Sequence, residues 1–370
     1  MRILQLSSAQ AFGGGERHLA DLANTLATRG HEVYVAVRPG SPLRDELRLP
    51  AEQVLTLPLR NALDARSASA LAKLVQTKSI EVVHAHMARD YPLAAYAVRR
   101  NPRARLVVTR HVLFPLNRLH KVTLAHVSRL IAVSQAVARR QQAQALIAPD
   151  RITVIHNGID VKKIEDARRR FNRTEFCRRW NLPAERLLVG SIGTLTLLKG
   201  HEDFLQAAAS LIKLVPSAFF IISGTESSAT NAYRRRLESL IQQLGLTDCM
   251  RLLGRMDDIS ELYCALDVFV SASHSESFGL AIVEAMAAGT AVVATETDGA
   301  REIIEESSSA VLTPIGGIQA LAEQVAKLLN DPARREMLAQ TARANVRERF
   351  NLERMVEETE EVYQQVLAEK

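Results

Sequence analysis

Short apolar runs alternate with amphipathic stretches along almost the whole chain, and few folds accommodate that alternation. An apolar run of roughly four to eight residues bounded by turn signals reads as a strand buried on both faces, and a helical pattern between two such runs makes a βα repeat with parallel pairing. In the first half, strands are expected at Arg2–Leu6, Glu32–Val37, Val82–Ala85, Leu106–Thr109, Leu130–Val133 and Ile152–Ile155, with helical patterns such as Gly15–Arg29 and Ser67–Lys78 between them. A second series starts at Leu187–Gly193 and continues through Ala218–Ser223, Met250–Leu253, Val268–Ser271, Ala291–Ala294 and Ala310–Leu312. It closes on helical patterns at Ile318–Leu329, Pro332–Arg349 and Leu352–Glu369. The expected fold class is α/β, with two Rossmann-like doubly wound domains facing a cleft and ligands at the carboxyl ends of the strands. Residues 1–165 form the first domain and 187–349 the second, joined by the densely charged stretch 166–186 as a linker, with a terminal helix over 350–370.

A length of 370 residues suits two domains, each with its own core. No apolar run approaches the roughly 18 residues that cross a bilayer, and Met1-Arg2 leads straight into an apparent strand. Three distant cysteines, Cys177, Cys249 and Cys264, suggest a reducing compartment. A cytoplasmic protein is expected. The net charge of +6 conceals an asymmetry, because residues 1–160 carry 22 basic and 11 acidic side chains and the remainder 25 and 30. No acidic residue lies between Tyr91 and Pro149, whereas ten basic ones do. Such a field attracts anions. Nucleic acid is disfavoured as a partner, since aromatics are only 5% and no recognition-helix pattern accompanies the charge. The segment from Phe114 to Arg129 mixes apolar and basic residues at near-helical spacing and would suit an anionic membrane surface.

Two loops carry the strongest chemical signals. Ser273-His-Ser-Glu-Ser-Phe-Gly-Leu-Ala-Ile-Val-Glu284 joins a strand to a helix in which Glu284 is the only charged residue between Ser277 and Thr295. A carboxylate there needs a partner, and a ligand diol supplies two hydroxyl donors. The amides of Phe278, Gly279 and Leu280 stand at the start of that helix, where a pyrophosphate is stabilised. Glu276 precedes Glu284 by eight positions and would reach a hydroxyl further along the same ligand. The second loop, Thr194–Leu198, leads to Lys199-Gly200, where Lys199 can neutralise a phosphate as a point charge. The glycine turn Gly13-Gly14-Gly15-Glu16 opens the first long helix but is not the dinucleotide fingerprint. His84, His86 and His111 follow strands of the first half. Any of them is a conceivable metal ligand, but the second half has no matching cluster and the chain has no DxD, so position favours His111 as a site residue and no metal is expected.

In this order, the glycine turn, His111, His156-Asn-Gly-Ile-Asp160, Gly193 with Lys199-Gly200 and the Glu276–Glu284 pair resemble the retaining glycosyltransferases of the GT-B fold, family 4 (glycosyl transferases group 1), over most of the chain. The resemblance implies that the second domain holds a nucleotide-diphospho sugar, that the first holds the acceptor, and that the final helix crosses back to the first domain. It further implies that Glu284 binds the ribose hydroxyls, Glu276 the transferred sugar, Lys199 and the amides around Gly279 the diphosphate, and that Arg255-Met256 lie near the base. Gly14 and Gly15 would close over the phosphates, His111 would contact the sugar, and no metal or cofactor would be needed. Thr194 departs from the arginine that many relatives carry, and Ala272 from a proline. The expected reaction is hexosyl transfer with retention, UDP favoured over GDP, onto a saccharide or lipid-linked acceptor in cell-envelope glycan synthesis. A sugar-nucleotide epimerase and a non-catalytic nucleotide-sugar-binding scaffold are the alternatives.

Overall fold

A computed structural model describes residues 1–226, 230–256, 258–304 and 309–369. It divides into two units, Met1–Gly158 with Leu352–Lys370, and Ile159–Asn351. In the first unit, strands β1 (Arg2–Ser7), β2 (Glu32–Val37), β3 (Val54–Thr56), β4 (Val82–Ala85), β5 (Arg105–Arg110), β6 (Arg129–Ala132) and β7 (Ile152–Val154) form one parallel sheet in the order β3-β2-β1-β4-β5-β6-β7. The apolar runs are buried on both faces, Ile3-Leu4, Val82-Val83 and Leu106-Val107-Val108 among them, because helices cover both sides. The helix Gly14–Thr28 turns Leu19, Leu22, Ala23 and Leu26 into this core.

The terminal helix Leu352–Ala368 belongs to the same unit and shares its core through Met355, Val356, Val362, Tyr363 and Val366. Polar contacts fix its position. Glu360 accepts hydrogen bonds from Arg29 Nε at 2.9 Å and from His31 Nε2 at 2.6 Å, and Arg105 Nε donates to the Val366 carbonyl at 3.0 Å.

In the second unit, β8 (Leu187–Ile192), β9 (Ala218–Ser223), β10 (Met250–Leu253), β11 (Val268–Ser271), β12 (Ala291–Thr295) and β13 (Val311–Thr313) form a parallel sheet ordered β10-β9-β8-β11-β12-β13. Both sheets have the doubly wound arrangement, with winding reversed beside the first strand of each series, at β1/β4 and at β8/β11.

Three expectations are corrected. Residues 166–186 are not a linker but part of the second unit, which begins at Ile159 and runs to Asn351 rather than spanning 187–349. Their charge hides two short amphipathic helices. Asp160 caps Val161–Arg170, accepting from Lys163 N at 2.9 Å, and Ile164 and Ala167 are buried. Asn172 caps Arg173–Trp180, which buries Phe176 and Cys177. Arg173 then ties this segment to the sheet through Asp267 Oδ2 at 3.0 Å and the Ala265 carbonyl at 2.8 Å. Strand β3 escapes sequence reading because three residues at a sheet edge, two half-exposed and one exposed, show no period. Within the segment from Phe114 to Arg129 only His120–Leu124 is helical, since the Asn117 side chain accepts from Leu119 N at 3.1 Å and holds a turn ahead of it.

Candidate active site

The reversal points are where doubly wound sheets bind ligands, outside the carboxyl ends of the strands. In the second unit the loops leaving β8 and β11 meet there, and a glycine allows it. Gly200 has φ +62°, and a Cβ on it would come within 1.8 Å of the Ala272 carbonyl oxygen. The backbones therefore touch, and Lys199 stands beside the loop after β11. Its ammonium pairs with the Glu276 carboxylate, which also accepts from Ser273 Oγ at 3.0 Å. The resemblance gave Lys199 and Glu276 to separate parts of a ligand, and the structure joins them as one ion pair that a ligand must share.

Past Glu276 the chain turns through buried Phe278 and then Gly279, whose φ of +115° suits only glycine, into the helix Leu280–Ala288. Glu284 lies half-buried one turn into that helix, and its Oε2 accepts from the buried Tyr263 hydroxyl at 2.9 Å. A protein hydroxyl thus already orients the carboxylate that sequence reasoning had paired with a ligand diol, and no sequence signal linked the two residues. Thr194, Lys199, Glu276, Phe278 and Gly279 occupy the segments that leave two adjacent strands, β8 and β11, and Leu280 and Glu284 the helix that follows β11. Arg255 and Met256 follow β10 at the sheet edge, Arg255 exposed and Met256 buried.

His201, next to Gly200, is buried and directs Nε2 at the Thr194 carbonyl, 3.2 Å away. Burial pushes its pKa down to about 4, with Lys199 adding to the effect. The folded state therefore keeps His201 neutral while the unfolded chain protonates near 6.5. Its contribution is complete above pH 6.5 and is lost as pH falls from 6.5 towards 4. Acidification from pH 7 to 5 should cost the second unit about 2 kcal/mol. The only tryptophan, Trp180, lies in that unit, so its fluorescence during urea unfolding at the two pH values measures the change.

The first unit gathers histidines that the sequence scatters. His111, just past β5, directs Nε2 at His86 Nδ1, 3.1 Å away. Gly15, in the first turn of the helix Gly14–Thr28, faces the same ring, so that a Cβ there would lie 3.5 Å from His111. Gly14 is exposed, and Glu16 accepts from Gly13 N at 2.9 Å, closing the glycine turn. His86 Nε2 meets Gln5 Oε1 at 2.7 Å, and Gln5 Nε2 donates to the Tyr363 hydroxyl at 3.1 Å. That hydroxyl contacts His84 Nδ1 at 2.5 Å, and His84 Nε2 contacts Thr109 Oγ1 at 2.7 Å. His18 completes the group, with Nδ1 2.8 Å from Asn157 Oδ1. Burial holds His18, His84, His86 and His111 neutral, His18 with its pKa down to about 4. Sequence reading missed His18, Gln5 and Tyr363, which come from the first helix, β1 and the terminal helix, and gave no role to Asn157 in the loop after β7.

Comparison with known proteins agrees with this architecture. The model for glycosyl transferases group 1 matches residues 172–345, and the model for glycosyltransferase family 4 matches residues 12–163. The N-acetyl-alpha-D-glucosaminyl L-malate synthase of Bacillus anthracis is 25% identical over 96% of this chain and 95% of its own length. The D-inositol 3-phosphate glycosyltransferase of Salinispora tropica is 30% identical over 73% of this chain, which spans 55% of that relative. Among solved structures, Anabaena HepE in complex with UDP and glucose superposes with a TM-score of 0.86 at 25% identity, covering 99% of this chain and 100% of that one. Two Rossmann-like domains and this pair of family matches define a glycosyltransferase of the GT-B fold. The chain belongs to glycosyltransferase family 4 and is a transferase of class EC 2.4.

Proposed function

We propose that the protein transfers a hexosyl group from a nucleoside-diphospho sugar, UDP in preference to GDP, to a hydroxyl of a saccharide or lipid-linked acceptor, with retention of anomeric configuration. The observation that carries this reading is the meeting of Lys199, Glu276, the Gly279 helix start and Glu284 at the β8/β11 reversal point. Lys199 and the start of the helix Leu280–Ala288 receive the diphosphate, Glu284 the ribose hydroxyls and Glu276 the sugar hydroxyls. Thr194 lies along the phosphates, and Arg255 with Met256 takes the base. In the first unit, His111 is the residue that the resemblance gives to a sugar. As the anomeric C–O bond breaks, the electron pair leaves on the diphosphate, and the acceptor hydroxyl attacks the oxocarbenium-like carbon from the same face. The departing phosphate oxygen takes the acceptor's proton, so the reaction needs no protein base and no metal. Lys199 supplies the charge stabilisation. The HepE complexes with UDP-glucose and with UDP and glucose support this donor class.

A thermal-shift screen against UDP, GDP, ADP and their sugar conjugates, with and without EDTA, tests the donor site. Ligands that bind the native state raise its melting temperature. A shift with one nucleotide family, insensitive to EDTA and abolished by Glu284→Gln, is expected. No shift in folded protein refutes the reading and leaves a scaffold, and a donor converted without any acceptor would make the protein an epimerase.

The first unit exposes Phe114, Leu119 and Val122 around Arg118 and Lys121, and no helix among the described residues is long and apolar enough to cross a membrane. Apolar side chains ringed by cations suit peripheral contact with an anionic bilayer, where a lipid-linked acceptor resides. Charge reversal at Arg118 and Lys121 should cost at least tenfold in affinity for phosphatidylglycerol vesicles in a sedimentation assay, at roughly 1 kcal/mol per removed cation. Unchanged sedimentation excludes this surface.

A further inference from the structure

We propose that His18, His86 and His111 form a site for a borderline divalent transition-metal ion of the Zn²⁺ type, separate from the donor machinery of the second unit. One ligand nitrogen from each of the three lies within 4.8 Å of the others. The 3.1 Å between His86 Nδ1 and His111 Nε2 is close to the edge of a tetrahedral site, about 3.3 Å for Zn–N bonds of 2.0–2.1 Å. The three ligand atoms lie within 4.8 Å of one another, so coordination requires the His18 ring to move inward.

The hydrogen bonds direct the lone pairs inward. His86 donates Nε2–H to Gln5 Oε1, whose own amide nitrogen is committed to Tyr363, and that leaves Nδ1 as the bare nitrogen. His18 donates Nδ1–H to Asn157 Oδ1, which leaves Nε2 bare. That Nε2 is buried and has no hydrogen-bond partner. A buried, unpartnered imidazole nitrogen costs stability unless something occupies it. Amide oxygens on the far nitrogens of two rings are the outer-shell arrangement that fixes tautomer and orientation in metal sites. Coordination requires His111 to carry its proton on Nδ1, a change of tautomer with no net proton released. Three imidazoles leave a fourth position open, and His111 is only partly buried, so that position can take water. The network beyond the ligands is also complete, since His84, Tyr363 and Thr109 satisfy one another.

A bound ion occupies the imidazole assigned above to the transferred sugar, so metal and sugar compete for His111 and the ion is inhibitory; this consequence rests on the proposed function.

The test uses full-length protein stripped with EDTA and then dialysed free of it. Titration with Co²⁺ should give the visible bands of a tetrahedral site saturating at one ion per chain, displaced by Zn²⁺. His18→Ala and His86→Ala, each checked for an intact melting transition, should weaken binding at least 100-fold, and Asn157→Leu 10–100-fold. Absence of the bands, or equal binding by wild type and both histidine variants, overturns the site. Should either alanine variant fail to fold, His18→Gln and His86→Gln serve, because they keep polarity and lose the ligand. Inhibition of transfer by Zn²⁺ at the same stoichiometry is expected. Co²⁺ binding without inhibition overturns the competition at His111 and leaves the site standing.

Discussion

Lys199→Ala should reduce turnover with the nucleotide sugar by about 10²–10³, some 2.7–4 kcal/mol of transition-state stabilisation. Negative charge accumulates on the diphosphate as the sugar leaves, so a fixed cation there is worth more in the transition state than in the bound donor. The effect should therefore fall more on kcat than on KM. Folding should change less than turnover. Lys199 is a quarter exposed but Glu276 is largely buried, so removing the lysine leaves a carboxylate short of its cation. Glu276 also keeps Ser273 Oγ as a donor after the lysine is gone. The paired variant separates the two roles. Glu276→Gln should preserve affinity for free UDP, which lacks the sugar, while turnover falls, whereas Lys199→Ala should weaken UDP itself. Lys199→Arg should recover only part of the loss, because a planar fork replaces a point charge. UDP affinity and turnover of Lys199→Ala both within twofold of wild type would remove this lysine from the phosphates.

Much of the fold is legible in the sequence, and the physical reason is burial on both faces. Ile3-Leu4, Val82-Val83 and Ala218–Ser223 are apolar because helices cover each side of the sheets, and such runs announce parallel strands. Legibility fails where geometry is carried by few residues or by capping. Val54–Thr56 is too short to have a period, and the helices at Val161–Arg170 and Arg173–Trp180 each hide two buried side chains under heavy charge. The donor-side loops are readable because their chemistry is contiguous, with Glu276, Phe278, Gly279 and Glu284 within nine positions. The histidine network is not. His18, His84, His86, His111 and Tyr363 span almost the whole chain and meet only because β1, β4 and β5 are adjacent in the sheet and the last helix returns to them. The Lys199–Glu276 pair was equally invisible, since it depends on how closely Gly200 approaches Ala272.

The return of that last helix leads to the other large expected effect. Ending the chain at Asn351 should unfold the first unit and leave the second folded. The deleted helix supplies Leu352, Met355, Val356, Val362, Tyr363 and Val366 to the first unit's core, facing Leu19, Leu22 and Leu26 of the first long helix. Burying side chains of this kind is worth roughly 1.5–3 kcal/mol each, against a total stability of about 5–15 kcal/mol for a domain. The entropy saved by not ordering the helix offsets part of this, but the remainder of the unit is left with an apolar stripe in water and with polar groups stripped of partners. Gln5 and His84 lose the Tyr363 hydroxyl, and Arg29 and His31 lose Glu360. The second unit runs from Ile159 to Asn351, so the cut falls outside it. Hydrogen exchange resolves the two, with protection expected to collapse across residues 1–158 and to persist across 159–351, where Trp180 fluorescence should still show a cooperative transition. Tyr363→Phe is the mild counterpart. It keeps the packing and removes the hydroxyl between Gln5 and His84, for a loss of about 1–3 kcal/mol confined to the first unit. Protection across residues 1–158 equal to that of the full chain would mean that the helix is an accessory to a core already complete without it.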